Sequence, residues 1–231
     1  MADKPARALV IYGDGLMPLV HTHIHKLASL GSCGFLALRE AENEDARVLR
    51  ELCQLFDMPY PKLSERFMGM RALLCTIGFP VANIDDLASE LLKWLGFQDG
   101  KVTETSEYDL VFVHVLLNVL VGDILQIAQS APQISSRLHL SLILSYGSIS
   151  EESNDLAKLY PKQCYTMKEG DIRNHHPMLI AQWQDAITRR DRAQAFEFEE
   201  FQKNGGSLSI LAERFIYEIA FKLWKAPKYG A

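Results

Sequence analysis

The sequence predicts a doubly wound α/β domain, a mostly parallel sheet with helices on both faces. Three observations carry this. Ala8–Tyr12 and Leu110–Val113 are continuous apolar runs rich in β-branched and aromatic residues, the pattern of strands buried on both sides. Strand-like runs alternate along the chain with segments of helical periodicity. With 231 residues, 48% hydrophobic and 23% charged, the chain is long enough to bury a core of its own, and residues 1–231 read as a single domain.

Composition excludes several functions. The net charge is −5, with both signs mixed along the chain and no basic stripe or tail, so no nucleic-acid surface is expected. No apolar run reaches the length of a membrane span, and the polar Met1–Arg7 does not resemble a secretory signal. Cys33, Cys53, Cys75 and Cys164 are scattered, with no C-x-x-C pair. They read as reduced thiols of an intracellular protein, cytoplasmic or nuclear.

The first strand, Ala8–Tyr12, ends in Gly13-Asp14-Gly15. Ligands of parallel sheets sit outside the carboxyl ends of strands, so Asp14 is the best-placed single residue for chemistry; it can equally cap the following helix. Leu19, Ile24, Leu27 and Leu30 fall near helical spacing up to Gly31. His21 and His25 share a face of that helix as polar residues, with no acidic or cysteine partner nearby to make a metal site. Ser32–Leu38 reads as a strand. Asn43–Phe56 reads as a helix whose stripe is Ala46, Leu49, Leu52, Cys53 and Phe56, stopped by Pro59 and Pro61. A strand at Arg71–Thr76, a helix at Asp85–Leu95 and a loop over Gln98–Ser106 follow. Then come a strand at Tyr108–Leu116, a helix at Val119–Ala128 and a strand at Leu138–Tyr146. Met178–Ala181 is short and apolar. Ser207–Trp224 reads as one closing helix, with Leu211, Phe215, Ile219 and Leu223 four apart.

Several stretches together resemble the alkaline phosphatase superfamily. V-I-Y-G-D-G followed by H-T-H-I-H-K-L-A-S-L-G resembles the superfamily's opening strand and helix. Within it, the pattern is most similar to the cofactor-independent phosphoglycerate mutases of archaeal type. Tyr108–Val115 resembles the strand before that family's D-E-A-G-H metal loop. His176–Ile180 resembles its P-V-P-V-L-I strand. F-E-E-F-Q-K-N-G-G (Phe198–Gly206) and W-K-A-P-K-Y-G-A (Trp224–Ala231) resemble its closing motifs. The resemblance implies an alkaline phosphatase-like core. It also implies two divalent metals, zinc or manganese, held by Asp and His around a Ser or Thr nucleophile.

Residue by residue, Asp14 matches the first ligand. The remaining correspondences fail. The D-E-A-G-H ligands fall on Val119 and Asp123, the later G-D-H reads Tyr146-Gly147-Ser148, and a late His falls near Asp171, with His175 and His176 out of register. No serine or threonine matches the nucleophile, and the span from Leu38 to Arg71 leaves little room for the family's inserted cap domain. The expectation is therefore a degenerate, cap-less relative without cofactor, serving as a scaffold or subunit in a protein complex. Phe196, Phe198, Phe201, Trp224 and Tyr229 are its candidate partner-binding residues, with Phe196 and Phe198 on one side of an extended segment. Association of the chain with itself is left open. The alternative is a residual metal-dependent phosphatase or mutase, with zinc or manganese in a site rebuilt from Asp14, Asp123, Asp171, His175 and His176. A sensor of a phosphorylated small molecule is a third reading, with no glycine-rich phosphate loop behind it.

Overall fold

The structure is a computed structural model. It describes residues 5–13, 22–38, 47–58, 63–76, 84–114, 118–145, 178–185, 189–204 and 209–227. The described residues form a seven-stranded sheet. In spatial order the strands are β3 (Ala72–Thr76), β6 (Leu110–His114), β1 (Arg7–Gly13), β7 (Leu138–Leu144), β8 (Met178–Trp183), β2 (Ser32–Ala37) and β9 (Ser209–Leu211). Six strands run in one direction, and β8 runs against both neighbours. Parallel neighbours need crossovers, and helices supply them on both faces. The predicted doubly wound α/β class, mostly parallel, is the class observed.

Alternation along the strands divides the core. Leu9, Ile11, Val111, Val113, Leu140 and Leu142 point to one face. There they meet α1 (Thr22–Leu30), α4 (Ile84–Trp94) and α5 (Asn118–Ser130), together with α7 (Phe198–Asn204). Val10, Tyr12, Phe112 and Ile143 point to the other. That face is covered by α2 (Arg47–Leu55) and α8 (Phe215–Lys222), along with Phe67, which follows α3 (Leu63–Arg66). β1 and β7 are buried along almost their whole length, which is why they read as unbroken apolar runs. α6 (Pro132–Ser135) is a single turn between α5 and β7.

Three expectations are corrected. Gln98–Ser106 is not all loop: β4 (Phe97–Gln98) and β5 (Lys101–Val102) pair antiparallel. The turn residues Asp99 and Gly100 have φ of 51° and 73°, the left-handed pair that an Asp-Gly hairpin turn requires. Ser207–Trp224 is not one helix. Ser209–Leu211 pairs in parallel with β2, a short 3₁₀ turn covers Ala212–Arg214, and only then does α8 begin. All four spaced residues are nonetheless buried, because Leu211 enters the same core from the strand. On α2 the inward stripe is Val48, Glu51, Leu52, Leu55 and Phe56, at i, i+3, i+4, i+7 and i+8, whereas Leu49 is 65% exposed. The expected stripe shares Leu52 and Phe56 with this one and differs at the rest, because an apolar count passes over the carboxylate at Glu51.

Cys33, Cys53 and Cys75 are free thiols; Cys164 and His21 lie outside the described residues. Burial pushes the Cys33 thiol up to about 12, and its Sγ donates to the Ala28 carbonyl. No helix among the described residues is long and apolar enough to cross a membrane.

His139 is fully buried on the α8 side of β7. Its Nε2 lies 3.1 Å from Ser141 Oγ, which in turn accepts from Gln182 Nε2. Burial holds its pKa well below the ordinary value of 6.5, and the Lys222 ammonium pushes the same way, while Gln184 opposes. The unfolded chain thus takes up a proton below pH 6.5 that the folded chain refuses, so acid weakens the fold. Over the range in which only the unfolded form is protonated, stability should drop by about 1.4 kcal/mol per pH unit on this account. Urea unfolding at a series of pH values should show a shallower acid slope for His139→Leu than for the natural chain. Equal slopes would mean that His139 is not the group responsible.

Candidate functional site

The carboxyl ends of β1, β6 and β7 lie side by side, the position at which α/β sheets take ligands. Tyr12 and His114 face each other in register there, with ring centroids 5.3 Å apart. Ser145 follows β7 immediately, its N–H bonded to the Gly13 carbonyl at 2.8 Å. α2 lowers Glu51 onto these ends, leaving it 3% exposed. The Tyr12 hydroxyl donates to Glu51 Oε2, and the Ser145 hydroxyl donates to Oε1 at 2.9 Å. A buried carboxylate is tolerated only where its oxygens find donors, and here two strands each supply one. The tie therefore fixes α2 over the ends of β1 and β7. Sequence reasoning missed Glu51 because it sits inside an apolar stripe; the signal was an acidic residue at i+3 from Val48 and i−4 from Leu55.

On the opposite face, α5 begins four residues after β6. Asn118, its first residue, accepts at Oδ1 from the N–H groups of His23 and Ile24, both at 3.1 Å. These are donors in the first turn of α1, of the kind that bind anions at helix starts, and here a side chain fills them. Val119 follows, 48% exposed. Gly122 lets α5 approach α1 closely: a Cβ there would lie 2.6 Å from the His23 ring. Asp123 stands one turn further into α5, half-buried. His25 Nδ1 accepts from the Phe196 N–H at 2.9 Å.

Asp14, Asp171, His175, His176 and Tyr229 lie outside the described residues. Asp123 is thus the one described member of the candidate metal set. One carboxylate does not hold zinc or manganese, which take three or more protein ligands in stable sites. Among the described residues, no group of three or more His, Cys, Asp or Glu is placed to hold a metal ion.

The aromatic candidates divide. Phe196, Phe198 and Phe201 are 0%, 4% and 0% exposed. They are core residues rather than a docking surface, a correction with a plain cause. Phe198 opens α7 rather than continuing an extended segment, and its ring packs against Phe35 of β2 at 5.2 Å while Phe196 and Phe201 pack together at 4.8 Å. Trp224 is the opposite case, 64% exposed just past α8. Its φ is +62°, and the Lys225 N–H bonds back to the Ala220 carbonyl at 2.7 Å, closing the helix at a position where glycine is favoured.

Glu51→Ala would leave two buried hydroxyls without their acceptor. It should cost about 3 kcal/mol in urea unfolding, and Glu51→Gln about half of that. An unchanged midpoint for both variants would mean that the tie contributes nothing to the hold of α2 on the sheet.

No family model and no curated protein matches the chain. Among solved structures it is similar to a cofactor-independent phosphoglycerate mutase from Thermoplasma acidophilum, with 13% identity and a TM-score of 0.40. The alignment covers 71% of this chain and 38% of the mutase, so the chain matches well under two-thirds of that protein's length.

Proposed function

We propose that the chain is a catalytically degenerate, cap-less alkaline phosphatase-like protein, allied to the cofactor-independent phosphoglycerate mutases, whose role is to bind a protein partner as a subunit of a complex. The alliance rests on the ordered sequence motifs. Loss of catalysis is supported by Val119, an apolar side chain where those motifs carry a metal-binding carboxylate, and by Asn118, which fills the start of α1.

The observation that carries the binding role is Trp224. The left-handed backbone costs a non-glycine residue about 1–2 kcal/mol. Burial offsets little of that for a side chain left 64% exposed. A large aromatic kept there offers apolar area of the kind that carries binding at protein interfaces.

Affinity capture with the natural chain should return one stoichiometric protein partner. Trp224→Gly should lose it while unfolding at the same or a slightly higher urea concentration, by up to about 1 kcal/mol. A chain that captures nothing reproducible would sink the binding role. The degenerate reading has its own test. Protein purified without chelator should carry no stoichiometric zinc or manganese. Two equivalents of metal, lost in Asp14→Ala, would instead establish a rebuilt metal site.

A further inference from the structure

Four adjacent strands begin on a charged residue or directly after one. Asp109, just before β6, stands in register with Arg71 before β3 and with Arg7 at the start of β1. Arg137, immediately before β7, is one position off that row and exposed. Lys225 reaches the row from the end of α8. Asp109 is the hub: its Oδ2 accepts from the Arg71 N–H at 2.9 Å, its Oδ1 lies 3.5 Å from Arg71 Nη2, and Lys225 Nζ lies 3.6 Å from Oδ2. Arg7 is anchored by Nε on the Leu95 carbonyl at 3.1 Å. Burial is the main cause holding its pKa below the usual arginine range; Asp109 opposes, and Arg71 and Arg137 add to the lowering. Glu107 is engaged with the Tyr108 hydroxyl.

Arg7, Arg71, Arg137 and Lys225 thus stand beside two carboxylates, Asp109 and Glu107, on a chain whose net charge is −5. The Asp109 carboxylate is 8% exposed, whereas Arg71 is 54% exposed and Lys225 28%. Asp109 is thus spent inside, while Arg71 and Arg137 face outward and outnumber the exposed Glu107. Trp224 is the covalent neighbour of Lys225, so an exposed aromatic borders the cationic row.

We infer that the amino-end edge of the sheet, formed by Arg7, Arg71, Arg137 and Lys225 with Trp224 at its border, is a docking surface for an acidic segment of a partner protein. The inference rests on the binding role proposed above and gives that partner its chemistry. Charge complementarity selects an acidic occupant, and the aromatic selects one carrying apolar side chains between its carboxylates. A nucleic acid is the poorer fit. Four cations on an otherwise acidic chain make a spot rather than a track along a phosphate backbone, and the remaining surface repels it.

The probe is a synthetic peptide of alternating glutamate and leucine, titrated into the full chain while tryptophan emission is followed, with an oligouridylate of equal length as comparator. Saturable binding of the peptide is expected, weakening as salt rises past the point where exposed charges are screened. Arg137→Glu should weaken it about tenfold, and Trp224→Phe should remove most of the emission change, with Trp94 and Trp183 still present. Arg137→Glu alters an exposed side chain, and an unchanged urea midpoint will show that its fold is intact. No saturable binding at low salt, equal binding by Arg137→Glu, or preference for the oligouridylate would overturn the inference. The two levels separate in capture: a stoichiometric partner held equally by Arg137→Glu and the natural chain would defeat the docking surface and leave the binding role standing.

Discussion

A parallel sheet sends every strand's carboxyl end to one edge and every amino end to the other, and this constraint orders the whole molecule. It places Tyr12, His114 and Ser145 together although they are distant in sequence, and it lines up Arg71, Asp109 and Arg7 at the opposite edge. Neither grouping is visible as a local motif. Both follow from register, since a one-residue slip of β6 against β1 would turn Tyr12 away from His114 and separate Asp109 from its arginines.

The two faces of the sheet differ in character. Toward α1, α4 and α5 the core is almost wholly apolar. Toward α2 and α8 it admits Glu51, His139 and Ser141, all buried. An unpaired buried polar group costs a few kcal/mol, comparable to a large part of the net stability of a domain. Glu51 avoids that cost with two hydroxyl donors, and His139, paired at Nε2, avoids the larger cost of a buried charge by staying neutral. Polar groups of this kind constrain geometry more tightly than methyl groups do, so the layer formed by α2 and α8 has fewer acceptable placements than its counterpart.

The sequence was legible where burial alone decides. β1, β7 and the central part of β6 are buried on both faces and show it as apolar runs; α1 and α4 show it as spaced leucines. It was less legible where a tertiary partner decides. Leu211 suits a helix by spacing, yet the open edge of β2 takes it as part of a strand. The Asp99-Gly100 turn was a readable local signal, hidden by the polar residues around it. Glu51 was invisible because its donors come from elsewhere in the chain. The aromatics of Phe196–Phe201 advertised themselves as surface features through the acidic residues between them, but period two and period three place them equally well inside, and α7 puts them there.

The single reversed strand has a consequence for how the molecule tolerates change. Leu144 at the end of β7 pairs with Leu179 near the start of β8, so the chain departs from and returns to the sheet at the same edge. The connecting stretch closes a gap between neighbouring strands whatever its length, and closure entropy grows only logarithmically with residue number. A change in the number of residues between β7 and β8 therefore costs their pairing little in closure entropy. The carboxyl edge can acquire new chemistry by lengthening this one connection, with the scaffold beneath it held constant.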